Sequence, residues 1–408
     1  MYCNMKKTFF TIIFCMTLLS CSNRMPAPDD AEGIIRLSRE KCQSIQCGHY
    51  VMDWKMKYMM RSDTDSYRYT CDFKKMPGDT IFGKAFALSW EGDGWSSHCL
   101  YTGNEFVDYD DSVAVIQSCS KWADHLVGIR HNFLFYTPLT EPGCYPVPSE
   151  NDMADKECSI SLSDTVLDGK PCYVIDVLIL PEEDADPNLG IRSLRYENIL
   201  WIDKNDYIPI QYSIAMDILQ GQDTLYQYEE CRLVEFNPQV DESKLILNAI
   251  PEGVTQQDYV PYKVPEPLAV GTRAPEWSLP TLSGDIVRLA DLKGKVVLLD
   301  FFYKSCAPCC AALPTLQRLH QKYKNQDFVM IGVDPYDDPK KDGMSDFLAK
   351  RNVTYTVLFA DRKLTEAYRV DVYPTLFFIG RDGKIVKVEK GFRKDMDSTI
   401  EEQLLKML

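Results

Sequence analysis

The sequence predicts two domains, a β-rich N-terminal domain followed by an α/β C-terminal domain. At 408 residues the chain is too long for one ordinary compact domain. Residues 49–238 consist of short aromatic and β-branched runs separated by turn residues, which indicates antiparallel strands. From Gly271 onward, apolar strand-like runs alternate with amphipathic helical segments, which indicates an α/β arrangement.

The composition is that of a globular protein with an acidic balance of charge. Hydrophobic residues make up 45% of the chain and charged residues 26%, which is enough apolar material for a core. The formal net charge is −15, and no block of lysine and arginine interrupts it. Because nucleic acids and anionic surfaces are bound through basic patches, we expect no nucleic-acid partner.

Residues 1–20 predict a targeting signal, and residues 21–30 a short tether. Two lysines precede an apolar run at residues 8–19 that is too short to span a bilayer stably. The run ends in Leu-Leu-Ser before Cys21, which resembles the bacterial lipobox, in which the cysteine is lipidated. An ordinary secretion signal with an incidental cysteine is the alternative. The lipobox predicts a lipid anchor at Cys21 on a cell-envelope protein that faces the periplasm.

The predicted compartment determines what the 15 cysteines are expected to do. Two leave with the signal, and nine lie in the N-terminal domain. In an oxidising compartment we expect some of the nine to pair, although their spacing does not define the partners. Their scatter, without a histidine cluster, argues against zinc, so we predict no metal and no cofactor. The nine are Cys42, Cys47, Cys71, Cys99, Cys119, Cys144, Cys158, Cys172 and Cys231.

The N-terminal domain is predicted over residues 31–240. Apolar positions recur among charges at residues 31–48, which indicates an opening helix. The rest predicts a meandering, strongly curved antiparallel sheet or half-barrel. Strand candidates are residues 67–70, 172–177 and 199–202, and turn candidates are residues 76–79, 168–169, 203–206 and 221–223.

Two stretches of this domain resemble the periplasmic lipoprotein-carrier family. They are residues 168–175, which lead into a strand, and the Trp-Ile-Asp to Pro-Ile hairpin at residues 201–210. Members are half-open β-barrels with a helical lid and an apolar cavity for acyl chains, so the resemblance implies a related half-barrel here. A β-rich structural or docking domain with a filled interior is the alternative.

Residues 241–268 predict a proline-rich linker, and residues 269–408 the α/β domain. A hairpin at residues 277–289 precedes a continuous apolar strand at 296–302, as expected for a strand covered on both faces. The further predicted elements are a helix with the apolar stripe Leu313, Leu316, Leu319 and Tyr323, strands at 328–333 and 354–359, helices at 344–350 and 364–369, a hairpin of 375–379 with 384–389, and a closing helix at 397–408.

Two cysteines with two residues between them, Cys306 and Cys309, open the helix directly after this apolar strand. A helix N-terminus offers unpaired N–H groups and a positive dipole potential, which favour a thiolate at Cys306 as the attacking sulfur. Cys309 lies one turn further on, within disulfide reach, and can resolve a mixed disulfide. A static disulfide and a zinc half-site are the alternatives. The strand–cysteines–helix order favours redox catalysis. Neighbouring Cys310 is predicted to be a core residue.

This region resembles the thioredoxin superfamily and, within it, the membrane-tethered periplasmic reductases of the TlpA/ResA type. Cys306 and Cys309 occupy the family's active-site position, and the Tyr-Pro-Thr segment matches its cis-proline loop. The resemblance implies a thioredoxin fold, a catalytic role for Pro374, and substrate docking at Tyr373 and Thr375. It also implies a protein disulfide reductase that acts on disulfide-containing periplasmic proteins and takes electrons from a membrane donor.

Three positions shift this expectation within the family. Ser305 stands where many members carry tryptophan, and Ala312 where members devoted to cytochrome c maturation often carry glutamate. Asp300 matches the buried aspartate of cytoplasmic thioredoxins, so we expect burial to raise its pKa and the carboxylate to take the proton of Cys309. A general dithiol reductase is therefore predicted.

Two other functions compete with this prediction. A peroxiredoxin shares the strand order, but its Pro-x-x-x-Thr-x-x-Cys loop is missing before Cys306. A lipoprotein that binds a hydrophobic ligand or a protein partner, with the thioredoxin domain as an accessory, is the remaining alternative. A cavity in the β-rich domain would favour it, and a filled interior would not.

Overall fold

The computed structural model describes residues 31–59, 63–92, 94–129, 139, 157–180, 191–220, 223–266, 268–341 and 343–408. The predicted signal, the tether and Cys21 lie outside these residues, as do Cys144 and most of the turn at 221–223. The described N-terminal region contributes a twelve-stranded sheet, and the C-terminal region a five-stranded sheet and a two-stranded hairpin. The predicted contrast between a β-rich region and an α/β region is confirmed.

The opening helix forms as predicted, although it is shorter. Helix α1 (Ala31–Ser44) buries Ile34 and Ile35 and ends before residue 48, because strand β1 already begins at Cys47. The Lys75 ammonium donates to the carbonyls of Cys42, at 3.4 Å, and Gln43, at 2.9 Å. The bond to Gln43 satisfies a carbonyl group at the helix end, and the Cys42 carbonyl also accepts the N–H of Ile45 at 3.4 Å.

Eleven antiparallel strands and one further helix follow within the described ranges. Among these eleven strands, neighbours in the sheet are consecutive in the chain, except that the first strand, β1, pairs with the last, β11. Two meanders thus meet in the middle of the sheet, and β6 and β7, although consecutive in the chain, lie far apart in it. The elements are β1 (Cys47–Lys57), β2 (Asp65–Lys75), β3 (Lys84–Gly92), β4 (Trp95–Tyr101), β5 (Glu105–Tyr109), β6 (Val113–Ser118), α2 (Cys119–Ile129), β7 (Glu157–Leu167), β8 (Lys170–Leu180), β9 (Ile191–Asp203), β10 (Pro209–Gln220) and β11 (Asp223–Asn237).

One face of this sheet carries the main core of the region. Ile34 and Ile35 of α1 and Leu126 of α2 pack there with buried strand residues such as Phe73 and Leu200. Helix α1 contacts β7 at one edge of the sheet order, while Lys75 of β2 binds its C-terminal end. Both contacts bring α1 to strands that are far apart in the sheet order, as in a sheet that curves around the helix.

The prediction of a linker over residues 241–268 is wrong in its first half. Residues 242–258 form short elements instead, and the last of them, β12, extends the large sheet by pairing in parallel with β6. The elements are the 3-10 helices Glu242–Leu245 and Leu247–Ala249 and the strand β12 (Thr255–Asp258).

Apolar burial explains why this segment is ordered onto the sheet. Ile250 packs against Leu100, Val107 and Ala114, on a cluster separate from the main core. Such burial stabilises by about 25 cal/mol per Å² of apolar surface removed from water. The exposed stretch at residues 260–266 is the part with linker character.

The C-terminal region contains the predicted elements, with bounds shifted by two residues or fewer. They are β13 (Ser278–Pro280), β14 (Ile286–Arg288), β15 (Val296–Phe301), α3 (Ala307–Tyr323), β16 (Phe328–Asp334), α4 (Met344–Lys350), β17 (Thr356–Phe359), α5 (Arg362–Tyr368), β18 (Thr375–Ile379), β19 (Ile385–Lys390) and α6 (Met396–Met407). None of the helices in the described residues is both long and apolar enough to cross a membrane.

The five-stranded sheet has the order β17-β16-β15-β18-β19, with β15 in its centre. Strands β15, β16 and β17 are parallel, β18 is antiparallel to β15, and β19 is antiparallel to β18. Residues of α3, α4 and α6 cover one face, and α5 with Trp277 and Leu289 covers the other. Both faces of β15 are therefore buried, as its unbroken apolar run predicts.

The expectation that N-terminal cysteines pair finds no support in the described residues. Eight of the nine predicted candidates are described, and all eight are free thiols. Burial raises the pKa of Cys42 and of Cys71 to about 12. Because the thiolate is the form that oxidises, such protonated and buried thiols resist disulfide formation.

Candidate active site

The site begins where the central strand β15 ends. Every residue of β15 is buried, so the chain emerges from a fixed position in the core. Asp300 pairs across the sheet with Gly332 of β16. A Cβ atom at Gly332 would lie 2.8 Å from the ring of Phe302, so the close packing beside the site requires glycine.

Cys306 and Cys309 are joined by a disulfide at the N-terminus of α3. Cys306 is the N-cap residue in an extended conformation, and its Sγ accepts a hydrogen bond from the N–H of Cys309 at 3.1 Å. Pro308 lies in the first turn, where no N–H is needed. An N–H donor and a helix N-terminus both point at the Cys306 sulfur, which is the arrangement that stabilises a thiolate after reduction.

Both cysteines of the disulfide are buried. Cys306 is 4% exposed and Cys309 is 1% exposed. Ser305, directly before Cys306, is exposed. Cys310 is buried in the core as predicted, and its thiol donates to the carbonyl of Lys304 at 3.4 Å.

The Tyr373–Pro374 peptide bond is cis, as the family resemblance implies. Thr375 begins β18 and pairs with Phe301 at the end of β15, which brings the proline loop to the segment that leads into Cys306. Thr375 is fully buried, and its hydroxyl donates to the carbonyl of Val372 at 2.6 Å. The side chain of Thr375 thus holds the loop, and substrate docking at Thr375 stays a prediction.

Three tyrosines form a cluster beside the proline loop that the sequence did not indicate. The rings of Tyr303, Tyr336 and Tyr373 pack edge to face, with centroids 5.1 to 5.6 Å apart. Tyr336 is 53% exposed, so the cluster is open to solvent. The predicted docking residue Tyr373 thus belongs to an aromatic surface next to the active-site loop.

Asp300 has the buried position expected from its place in β15. The residue is 1% exposed, and Oδ1 of its carboxyl group has no hydrogen-bond partner among the described residues. Burial raises its pKa to about 7. Leu298 and Phe302 belong to the core that α3 covers, and side chains alternate along a strand, so Asp300 points to the α3 side of the sheet. The unpartnered oxygen argues against a purely structural aspartate.

Tyr355 is a neighbour of Asp300 that the sequence did not predict. Burial raises the pKa of its hydroxyl well above the usual value, and the nearby Asp300 and Cys310 add to the effect. The hydroxyl has no hydrogen-bond partner among the described residues. Half-buried His320 lies against the ring of Tyr355, at 5.9 Å between centroids, and burial lowers its pKa. No sequence spacing links these residues to Cys306.

A pair of carboxyl groups, those of Asp334 and Asp337, supports the active-site loop from the end of β16. The backbone N–H groups of Tyr336 and Asp337 donate to Asp334, which is fully buried. Asp337 in turn accepts the N–H of Lys304 at 2.6 Å. Burial first, and then the adjacent Asp337, raise the pKa of Asp334. The sequence places Asp334 at a strand end but gives no sign of this link to Lys304.

The N-terminal region reaches the active-site helix directly. Gln220, the last residue of β10, is 8% exposed and donates from Nε2 to the carbonyl of Ala307 at 3.2 Å. Ala307 lies between the two cysteines. The β-rich region therefore contributes to the surroundings of the disulfide.

The C-terminal region is similar to a known protein family and to individual known proteins. Residues 270–388 match the model of the AhpC/TSA family. Thiol-disulfide oxidoreductase ResA of Bacillus subtilis (strain 168) is 33% identical over 127 residues, which are 31% of this chain and 70% of that protein. Thiol-disulfide oxidoreductase ResA of Bacillus anthracis is 32% identical over 123 residues, which are 30% of this chain and 70% of that protein.

A solved structure is also similar to part of this chain. It is a proposed thiol:disulfide interchange protein DsbE from Chlorobium tepidum, with 34% identity and a TM-score of 0.32, covering 34% of this chain and 98% of that chain. Each of these matches spans about a third of the chain or less. The residues that match the family model include the disulfide and none of the large sheet of residues 47–258.

Proposed function

Because this chain belongs, through its C-terminal region, to the ResA-type family of thiol–disulfide oxidoreductases, we propose that it reduces protein disulfides through Cys306 and Cys309. The observation that carries the proposal is the disulfide at the start of α3, with the Cys309 N–H bonded to the Cys306 sulfur. An N–H donor at the sulfur stabilises the thiolate that must begin the exchange.

In the first step the reduced protein attacks its substrate. The Cys306 thiolate forms a bond with one sulfur of a substrate disulfide, that disulfide breaks, and the other substrate sulfur leaves as a thiolate that takes a proton from water. The product is a mixed disulfide between Cys306 and the substrate. Tyr373 and the cis Pro374 lie on the loop beside this position and support docking of the substrate chain.

In the second step the mixed disulfide is resolved. Cys309 loses its proton and attacks the Cys306 sulfur, and the substrate leaves with its second thiol. Two electrons have then passed to the substrate, and the Cys306–Cys309 disulfide remains. Asp300, buried on the α3 side with a pKa raised to about 7, supports the role of acceptor for the Cys309 proton. A dithiol donor protein at the membrane must restore the reduced form.

The direction of electron flow is tested by the reduction potential of the Cys306–Cys309 couple, measured by equilibration with a thiol buffer. We expect a value near that of thioredoxin, roughly −270 mV, because a reductase must hold its electrons weakly. A value close to that of a strong oxidant, roughly −120 mV, contradicts the reductase and makes the protein an oxidase.

The anchor at Cys21 and the periplasm-facing location belong to the same proposal. A membrane-attached dithiol donor and disulfide-containing substrates both suit a protein held at the outer side of a membrane. We expect the mature protein to fractionate with membranes, and Cys21→Ala to release it or to leave the signal uncleaved, because lipid attachment requires that thiol. Recovery of the parent protein wholly in the soluble periplasmic fraction contradicts the anchor.

Separate sheets and separate hydrophobic clusters support a division into two domains, with the first ending near Asp258. The contact between Gln220 and Ala307 supports a role for the first domain in positioning substrates. The alternative function, a ligand-binding lipoprotein, would need an apolar cavity, and the packing of α1 on the large sheet favours a filled interior.

A further inference from the structure

A cleft lies between the β-rich region and the disulfide. Its volume is about 200 Å³, and Ser305 and Ala307, the residues on either side of Cys306, form one wall. The other wall comes from the ends of β1, β10 and β11. Its side chains are Tyr58, Met59, Ile218 and Leu225, together with two glutamines.

The second wall of the cleft is mostly apolar. It lies next to the disulfide, where the substrate polypeptide must bind. Tyr58 is 39% exposed, Met59 and Leu225 are half-buried, and Ile218 is buried. Gln220, one of the two glutamines, is bonded to the Ala307 carbonyl, so this wall is fixed to the active-site helix. An apolar cavity of about 150 Å³ is large enough to take up benzene. The cleft is thus large enough for one leucine or phenylalanine side chain.

Covalent geometry determines what must occupy this space during catalysis. A disulfide holds the Cα atoms of its two cysteines about 5.5–6 Å apart, and the next Cα follows after about 3.8 Å. A residue that flanks the substrate cysteine therefore lies within about 10 Å of the Cys306 Cα. Ser305 and Ala307, as neighbours of Cys306, occupy the same range, so the cleft that they line is within reach of the flanking residue.

We propose that this cleft is a subsite for an apolar side chain next to the reactive cysteine of an extended substrate polypeptide. The β-rich region thereby selects among disulfides that the α3 site alone would treat alike. This inference rests on the proposed function, since the cleft acts only when Cys306 forms a mixed disulfide.

The test compares two symmetric, disulfide-linked peptide dimers, one with leucine and one with serine on both sides of the cysteine. Single-turnover reduction by the reduced full chain is measured for each. We expect the leucine peptide to react at least about tenfold faster, because one apolar side chain in a fitted pocket is worth that much discrimination. Leu225→Ser and, independently, Tyr58→Ser should bring the ratio of the two rates close to one.

Val234→Ser is the matched control, because Val234 is a 52% exposed apolar residue on the same strand, β11, and does not line the cleft. It should keep the parent ratio. A parent ratio near one, or a ratio that Leu225→Ser and Tyr58→Ser leave at the parent value, overturns the subsite. Hydroxyethyl disulfide separates the two proposals. If the parent reduces it but does not distinguish the peptides, the subsite alone is wrong, and if the parent reduces none of the three, the reductase is wrong as well.

Discussion

Cys309→Ser is expected to trap substrates as mixed disulfides, whereas Cys306→Ser is expected to trap few or none. The Cys306 sulfur accepts a hydrogen bond from the Cys309 N–H and lies at the positive N-terminus of α3. Its thiolate is therefore the stabilised one, and Cys306 attacks first. Without the Cys309 thiol, the partner thiol that resolves the mixed disulfide is missing. We expect at least about tenfold more trapped protein with Cys309→Ser, as seen on non-reducing gels after alkylation.

The controls for this experiment follow from the other cysteines. The double variant Cys306→Ser with Cys309→Ser reports any trapping by the free thiols of the β-rich region. Cys310→Ala is the matched control, because Cys310 is adjacent but points into the core, bonded to the Lys304 carbonyl. It should leave the pattern of the Cys309→Ser variant unchanged. More trapping by Cys306→Ser than by Cys309→Ser would reverse the assignment of the nucleophile.

Asp300→Asn is expected to slow resolution of the mixed disulfide while leaving the first attack by Cys306 nearly intact. An asparagine fills the same space but cannot accept a proton, so Cys309 must lose its proton to water. We expect resolution to slow on the order of 100-fold near neutral pH, within the usual contribution of a positioned general base. Stopped-flow reduction of a model disulfide separates the two steps.

The rate of resolution should depend on pH in the direction set by the ionisation of Asp300. The pKa of Asp300 is raised to about 7 in the disulfide form, so the carboxylate is available as a base above that pH and protonated below it. Resolution by the parent should therefore fall as the pH drops through about 7, and Asp300→Asn should lack this inflection. Tyr355→Phe, which removes a neighbouring hydroxyl and keeps the carboxylate, should retain it. Equal resolution rates for parent and Asp300→Asn from about pH 6 to about pH 9 would leave Asp300 a core residue only.

Asp300→Asn is also expected to stabilise the folded protein, although it slows catalysis. An acid whose folded pKa lies above its unfolded value of 3.8 binds more protons in the folded state, so stability falls as pH rises from about 4 to about 7. The penalty is absent below this window and fully present above it, at no more than about 4 kcal/mol. Asp300→Asn should remove it. Urea unfolding of the disulfide form should show a gain of about 2–4 kcal/mol at about pH 8 that vanishes near pH 4. A gain of the same size at both pH values contradicts the ionisation argument.

The free cysteines of the β-rich region show where the sequence argument was incomplete. An oxidising compartment favours disulfides only between thiols that can approach and ionise. Burial raises the pKa of Cys99 and of Cys231 well above the usual thiol value, and both are nearly inaccessible. The cysteine count and the compartment were therefore not enough to predict which thiols pair, because the burial of each thiol depends on the folded sheet.

The fold of the C-terminal region and the core of its site could be predicted from the sequence alone. The apolar run of β15, the two cysteines after it and the Tyr-Pro-Thr segment are local signals, each set by a few adjacent residues. The burial of Asp300 could be predicted as well, because the residue belongs to this apolar strand, and its place near the cysteines was implied by the family resemblance. Helix and strand periodicity are local properties, so the bounds agreed to within two residues.

Tertiary structure alone decided what surrounds the disulfide. Gln220 reaches Ala307 from 87 residues away in the chain, and Tyr355 lies near Asp300 from outside strand β15. Residues 242–258 were predicted to be part of a linker because they adjoin a proline-rich stretch. They pack on the large sheet instead, because Ile250 is buried against an apolar cluster there. Such contacts depend on which surfaces meet once both sheets have formed, and no periodicity along the chain records them. The sequence by itself therefore determined the reactive pair and its helix, and the packing of the two regions determined the cleft beside that pair.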